Sequence, residues 1–278
     1  SMNLAAGSWM WSASLRYLFS LPIMAVLVWQ KGELKGVLSA IARALWTWLL
    51  WSTVGFGLFY APLSMASIYG ESWFVAATWQ ITILAGLLLT PLFGQKIPRK
   101  QLGMTLLILL GIVLIQIPYF GRGLGEGVVR ASILILIAAF SYPLGNRKML
   151  VHCKEEQLST TQRVFGMTLM SVPFWMLLSV FAGLDAGLPS GGQMLQSLIV
   201  AVFSGVIATM LFFEATNLVK HNHQQLAVVE ATQAGEVLFT LFGGCLFLGD
   251  QIPTPLGFLG VFIVIIGIVG NSLLTSSE

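Results

Sequence analysis

Nine stretches of this 278-residue chain stay apolar long enough to cross a lipid bilayer, and that leaves few folds open. A helix crossing about 30 Å of hydrocarbon needs roughly 20 mostly apolar residues. The runs fall near 8–29, 45–69, 72–94, 102–120, 131–150, 165–184, 197–219, 227–249 and 254–274. Each is continuously apolar rather than alternating, which points to helices and away from a β-barrel, the other way of satisfying every backbone group in lipid. Only 9% of residues are charged and 56% are hydrophobic, against about 25% charged in soluble domains. Such a chain cannot cover a water-facing surface. Its formal charge of +3 gives no reason to expect a nucleic-acid partner. Cys153 and Cys245 lie far apart with no CxxC or Cys/His cluster, so neither a disulfide framework nor a metal site is expected.

Turn residues and charges gather in short connectors: 30–35, 95–100, 121–130 and 185–192. The stretch 33–44 places Leu34, Val37, Leu38 and Ile41 on one helical face, as either an interfacial helix or an ordinary loop helix. Alternating loops divide the basic residues unevenly. Lys31, Lys35, Arg43, Lys96, Arg99, Lys100, Arg147, Lys148, Lys154, Arg163 and Lys220 fall on one side. Arg122 and Arg130 fall on the other, and Arg16 lies within a span. By the positive-inside rule the richer side is cytoplasmic, and the C-terminus with it.

The two halves resemble each other. Ser12–Arg16 matches Ser159–Arg163 at a shift of 147, and Gln80 in Ala77-Thr78-Trp79-Gln80 matches Gln233 in Glu230-Ala231-Thr232-Gln233. Gly94–Pro98 matches Gly249–Pro253, and Leu110–Val113 matches Ile266–Val269. The common order and nearly constant shift predict a five-helix duplication, residues 1–121 and 122–278. The second repeat opens with the helix 131–150, which has no counterpart in the first, so a first helix of roughly 20 residues is expected ahead of Ser1. The expected fold is an all-α integral membrane protein: two inverted five-helix repeats on a ten-helix plan, with the first helix missing and nine present. An odd number of helices per repeat inverts the second relative to the first, a transporter plan whose site lies between repeats at the midplane.

Trp9–Tyr17, Trp51–Gly57, Ala77–Thr82, Tyr142–Lys148 and Val229–Gln233 resemble the drug/metabolite transporter superfamily. More narrowly they resemble its multidrug-resistance efflux branch, related to the EamA-like permeases. The resemblance covers essentially the whole chain. It implies ten helices in two inverted halves, a bacterial cytoplasmic membrane, and secondary transport, usually export. It does not identify a substrate.

Ionisable groups inside spans are expensive and are therefore functional candidates. They are Arg16, Glu214, Glu230 and Glu236. Glu230, Gln233 and Glu236 recur every third residue near one helix face. A buried carboxylate with a raised pKa suits proton coupling; the alternatives are a surface position for Glu230 and a helix-pairing role for Glu236. Glu214, near a helix end, is expected to snorkel or pair. Arg16 could bind an anionic group or neutralise a glutamate, but its repeat partner Arg163 favours a structural role. Trp79 and Gln80 would face a central cavity opposite Gln233, with Trp79 offering a stacking face or, alternatively, a lipid anchor. Tyr60, Tyr142 and Asn146 are further candidates, Asn146 alternatively capping its helix. Glycines 55, 57, 86, 111, 243, 244, 267 and 270 are expected to permit close packing. Pro22, Pro62, Pro143 and Pro173 fall inside spans. His221 and His223 lack a third ligand and read as a loop.

These readings favour a secondary exporter of small organic molecules driven by protons or counter-exchange, since no Walker motif is present. The alternative is an uncoupled permease or exchanger for amino acids or nucleosides. A channel fits less well, and an enzyme would need a nucleophile, base or metal cluster that the sequence does not show. No cofactor is expected. The expected partners are a small-molecule substrate, the bilayer and, if coupled, protons.

Overall fold

The computed structural model describes residues 7–69, 72–94, 96–97, 99–120, 126–222, 225–226, 228–229, 232, 235–244, 246 and 254–276. Among these residues all regular structure is helical. The elements are α1 (Trp9–Gln30), α2 (Leu34–Arg43), α3 (Leu45–Ala66), α4 (Ser72–Trp79), α5 (Ile81–Leu88), α6 (Arg99–Phe120), α7 (Glu126–Glu155), α8 (Thr160–Ala186), α9 (Gly191–Leu218), α10 (Gly235–Gly243) and α11 (Pro255–Ser276). Helices α1, α3, α8 and α9, and α7 from Val129, are long and apolar enough to span a membrane among the described residues.

The chemistry of one helix shows why lipid must surround it. On α8, Val164, Met167, Ser171 and Trp175 are buried, while Leu177, Val180, Phe181 and Leu184 form an exposed apolar stripe at helical spacing. Water would penalise that stripe, whereas hydrocarbon accommodates it. The four expected prolines all lie inside helices, Pro22 in α1, Pro62 in α3, Pro143 in α7 and Pro173 in α8.

Two expected spans take a different form. The run 72–94 is divided into α4, α5 and a 3₁₀ turn, Thr90–Phe93, with the first break at Gln80. The run 131–150 extends to a 30-residue helix, Glu126–Glu155. Its added turns are polar, carrying the Arg130–Glu126 ion pair at one end and Lys154 and Glu155 at the other. A helix continues past the hydrocarbon wherever its side chains tolerate water.

Sequence does not foreshadow π-helical turns within α3, at Thr53–Gly57, and within α9, at Ala201–Ala208. Such insertions widen a helix locally and often mark functional sites.

The chain forms two compact units that each draw on both sequence halves. Unit 1 comprises 1–68 and 141–218, and unit 2 comprises 69–140 and 219–278. Helix α7 contributes to unit 2 up to Phe140 and to unit 1 from Ser141.

In unit 1, α1 ends in a Schellman turn. Gly32, at φ 70°, donates to the Trp29 carbonyl at 2.9 Å, and Glu33 donates to that of Val28 at 3.0 Å. This turn grips the start of α8. There Ser159 and Gln162 form a reciprocal capping box, Ser159 Oγ donates to Glu33 Oε2 at 2.7 Å, and Gln162 Nε2 donates to the Glu33 carbonyl at 2.9 Å. Lys31 Nζ adds a bond to Thr161 Oγ1 at 2.7 Å. An acidic residue at a helix N-terminus also meets the favourable end of its dipole. Helix α2 buries Val37, Ala40 and Ile41 in the unit 1 core and packs Leu34 beside them, whereas Leu38 is exposed. Arg43 at its end pairs with Glu156.

Close helix crossings depend on absent side chains. A Cβ on Gly145 would lie 2.4 Å from the Gly55 backbone, and one on Gly166 would lie 2.3 Å from the Trp48 ring. In unit 2, α6 and α11 cross with Gly111 against the Gly260 carbonyl and Gly267 against Ile108. Packing of this kind substitutes for the hydrophobic force that lipid does not supply. Gly243 differs from expectation, since among the described residues a Cβ there meets nothing within 4 Å.

Gly145→Ala should therefore lower the melting temperature of the detergent-solubilised protein, at a cost of about 1–3 kcal/mol from overpacking. Gly243→Ala should leave it unchanged or slightly raised. Equal melting temperatures for the two variants would contradict this account of the α3–α7 crossing.

Candidate functional site

Helix α1 carries a buried polar stripe: Ser12, Ser14, Arg16 and Ser20. Polar groups at this depth need partners, and α9 supplies several. Gln193 Nε2 donates to the Ser8 carbonyl at 2.6 Å and to Ser12 Oγ at 3.0 Å. Ser20 Oγ donates to the Arg16 carbonyl at 2.7 Å and lies 3.3 Å from that of Ala201. Arg16 Nη2 donates to Ser204 Oγ at 3.1 Å and approaches the Ser204 carbonyl at 3.4 Å. Ser204 lies within the π-helical turn of α9, so the widened backbone presents these groups to the guanidinium.

Arg16 is 7% exposed. Its guanidinium carbon lies 4.1 Å from the Tyr60 ring centre and 5.3 Å from that of Tyr17. Those rings belong to a closed circuit of aromatic contacts. Tyr17 meets Phe56 at 5.2 Å, Phe56 meets Phe213 at 6.1 Å, and Phe213 meets Phe212 at 6.3 Å. Phe212 meets Tyr142 at 6.0 Å, Tyr142 meets Phe59 at 4.6 Å, Phe59 meets Tyr60 at 5.7 Å, and Tyr60 returns to Tyr17 at 5.7 Å. Trp175 stacks on Tyr17 at 4.4 Å from the buried side. Tyr17, Phe56 and Phe213 are buried, while Phe59, Tyr60, Tyr142 and Phe212 are half-buried. The circuit therefore has a closed arc and an accessible arc. Aromatic faces suit stacking and cation–π contacts, so the accessible arc can hold a flat or cationic group.

Arg163, the sequence counterpart of Arg16, is 3% exposed. Its Nη2 donates to the Phe213 carbonyl and to Thr216 Oγ1, both at 3.0 Å, and its guanidinium lies 4.5 Å from the Phe213 ring. Thus each arginine rests on a ring, Tyr60 for one and Phe213 for the other. Glu214 is exposed on α9, close enough to act electrostatically on Arg163. Asn146 Nδ2 donates to the Tyr142 carbonyl at 2.8 Å. It does not cap its helix, because α7 continues to Glu155.

Unit 2 holds the other candidates. Trp79 and Gln80 are both buried at the junction of α4 and α5. Gln80 Nε2 donates to the Ala76 carbonyl at 3.2 Å, and among the described residues Gln80 Oε1 has no partner. Beside it, Thr82 Oγ1 donates to the Ala139 carbonyl of α7 at 3.1 Å. Glu236 occupies the first turn of α10 and is exposed. Glu230, Gln233, His223 and Cys245 lie outside the described residues. Sequence reasoning named Arg16, Tyr60 and Tyr142 without placing them together, and it missed Tyr17, Phe56, Phe59, Phe212, Phe213, Trp175 and Ser204. A signal was present: Tyr60 and Phe213 lie 153 residues apart, the spacing of Gln80 and Gln233.

These features define a multi-pass α-helical membrane protein of transporter type. The comparisons agree. Residues 1–277 match the family EmrE, described as "Putative multidrug resistance efflux transporter", and the chain belongs to that family. "Uncharacterized protein YjlA" of Bacillus subtilis (strain 168) is 46% identical over 285 residues, which span 97% of this chain and 87% of the relative. A Shouchella clausii protein, "Uncharacterized 42.1 kDa protein in intracellular alkaline protease 3'region", is 40% identical over 245 residues, 84% of this chain and 64% of its own length. A solved chain described as "Crystal structure of protein" superposes at a TM-score of 0.71 with 12% identity, covering 99% of this chain and 90% of that one. At that identity the likeness is one of fold.

Arg163→Ala should destabilise the protein by about 1.5–3 kcal/mol for the lost charge-assisted bonds. Arg43→Ala, which breaks an exposed ion pair, should cost about 0–1 kcal/mol. Thermal unfolding of the two variants in detergent tests that ordering.

Proposed function

We propose that this protein is a secondary-active exporter of small organic molecules that works by alternating access between two inverted repeats, 1–121 and 122–278. The observation that carries the proposal is a pair of matching constructions in the spanning helices. Arg16 and Arg163, 147 residues apart, each lie against an aromatic ring. The π-helical turns of α3 and α9 begin 148 residues apart. A duplicated half would place the same irregularities at the same register. Widened turns are sites where a helix can change its winding without losing many hydrogen bonds, which suits a carrier whose helices must adopt two arrangements.

Family membership supports efflux of a small molecule. In this reading the sidedness follows the basic loops, with the C-terminus in the cytoplasm of a bacterial cell. Substrate reaches the aromatic arc of Tyr60, Tyr142, Phe59 and Phe212, with Asn146 on the next turn of α7. Trp79, Gln80, Glu230 and Gln233 are assigned to the pathway in unit 2, and Glu236 to the coupling proton.

The test is flux from proteoliposomes under an imposed pH gradient, screened with organic cations, organic anions, amino acids and nucleosides. Glu236→Gln should abolish proton-driven export while sparing exchange. Saturable exchange in the native protein with no proton movement would instead make it an uncoupled permease, and non-saturable flux without trans-stimulation would make it a channel.

A further inference from the structure

Among the described residues, Arg16 is a charge buried in a membrane span with no carboxylate paired to it. Among the described residues its hydrogen bonds go to Ser204, and Arg16 Nε, buried, has no partner. The rings set against its guanidinium among the described residues are those of Tyr60 and Tyr17. The acidic residues of unit 1 are engaged elsewhere or lie at helix ends: Glu33 at the start of α8, Glu155 at the end of α7, Glu156 on Arg43, Asp185 at the end of α8, and Glu214 near Arg163. Arg163 leaves its Nε unpartnered as well among the described residues. Its Nη2, however, reaches a carbonyl and a hydroxyl at 3.0 Å each and Glu214 lies near it, whereas Arg16 Nη2 has only Ser204, at 3.1 Å and 3.4 Å, and a set of rings.

An isolated guanidinium at this depth is costly, and ring faces offset only part of the cost. Guanidinium also offers a rigid fork of donors matched to a carboxylate, and Nε is one tine of that fork. The accessible arc of Tyr60, Phe59, Tyr142 and Phe212 begins on the ring over which the charge lies. We infer that Arg16 and this arc form the recognition site for an organic anion, with its carboxylate on Arg16 and Ser204 and its flat apolar body against the rings. This rests on the transporter reading only in making that anion the transported solute. The site itself stands or falls on binding.

The experiment is equilibrium binding to the purified full chain in nanodiscs of phosphatidylcholine alone, read by tryptophan fluorescence, since Trp175 stacks on Tyr17. The probes are phenylacetate, its neutral isostere phenylacetamide, and tetraphenylphosphonium. Phenylacetate should bind at least about tenfold more tightly than phenylacetamide. Arg16→Gln should remove that preference, and Arg16→Lys, a point charge without the fork, should recover only part of it. Tyr60→Leu, which keeps the charge, should weaken both phenylacetate and phenylacetamide. If Arg16→Gln does not fold, the acid–amide preference of the native protein and its loss of affinity in Tyr60→Leu decide the matter. Equal binding of acid and amide would overturn the inference, as would binding of the phosphonium alone. So would Arg16-dependent stabilisation by phosphatidylglycerol with none by phenylacetate, which would make the anion a lipid headgroup. Binding of phenylacetate without its transport would sustain the site and count against the exporter.

Discussion

Hydrocarbon accepts neither a stranded peptide group nor an unaccompanied polar side chain, and most of this structure is a response to that. Backbone groups are satisfied first, which makes every described element a helix. Side-chain hydroxyls then turn back onto their own helices, as Ser14 does to Met10 and Thr168 does to Val164. What remains must be satisfied between helices. In unit 1 α1 and α8 carry much of that remaining polarity, and on α1 it fixes which helix can lie beside it. Only a neighbour presenting Gln193, the Ala201 carbonyl and Ser204 meets the stripe of Ser12, Arg16 and Ser20. Because lipid tails compete on equal terms with any apolar side chain, such bonds and the glycine crossings carry more of the specificity here than in a water-soluble core.

The same demand explains why the aromatic circuit and the buried arginines coincide. A guanidinium cannot shed its charge, so it seeks carbonyls, hydroxyls and ring faces at once. Rings are apolar enough to remain in the span and still offer a negative face. Tyr60 and Phe213 serve Arg16 and Arg163 in the same way, although one ring carries a hydroxyl and the other does not. The hydroxylated ring is half-buried and the bare ring is buried.

The spans could be read because their cause is local: about 20 apolar residues need no tertiary context to choose a helix in lipid. The burial of Val37 and Ile41 followed from spacing in the same way, and Leu38 failed because an amphipathic face is wider than the surface that covers it. The π-helical turns escaped notice since no residue type demands one; they arise from how α3 and α9 meet their neighbours. The break at Gln80 was equally hidden, because an apolar run looks alike whether its helix is whole or divided. Arg16 was recognised as unusual, but sequence could only weigh a structural role against a binding one. Neither Ser204, 188 positions away, nor the lack of a paired carboxylate among the described residues could be seen without the fold.

Helix α1 is tied at both of its ends. Near Ser8 and Ser12 it is held by Gln193 at the start of α9, and beyond Gln30 its closing turn is clamped to Ser159, Thr161 and Gln162 at the start of α8. It works as a strut between the leading ends of two long helices. A strut pinned at both ends cannot swing, so elastic compliance within unit 1 is left to the members that carry a loosened winding midway, α3 and α9. Load applied at the aromatic arc would then bend those two helices while the frame around them keeps its length.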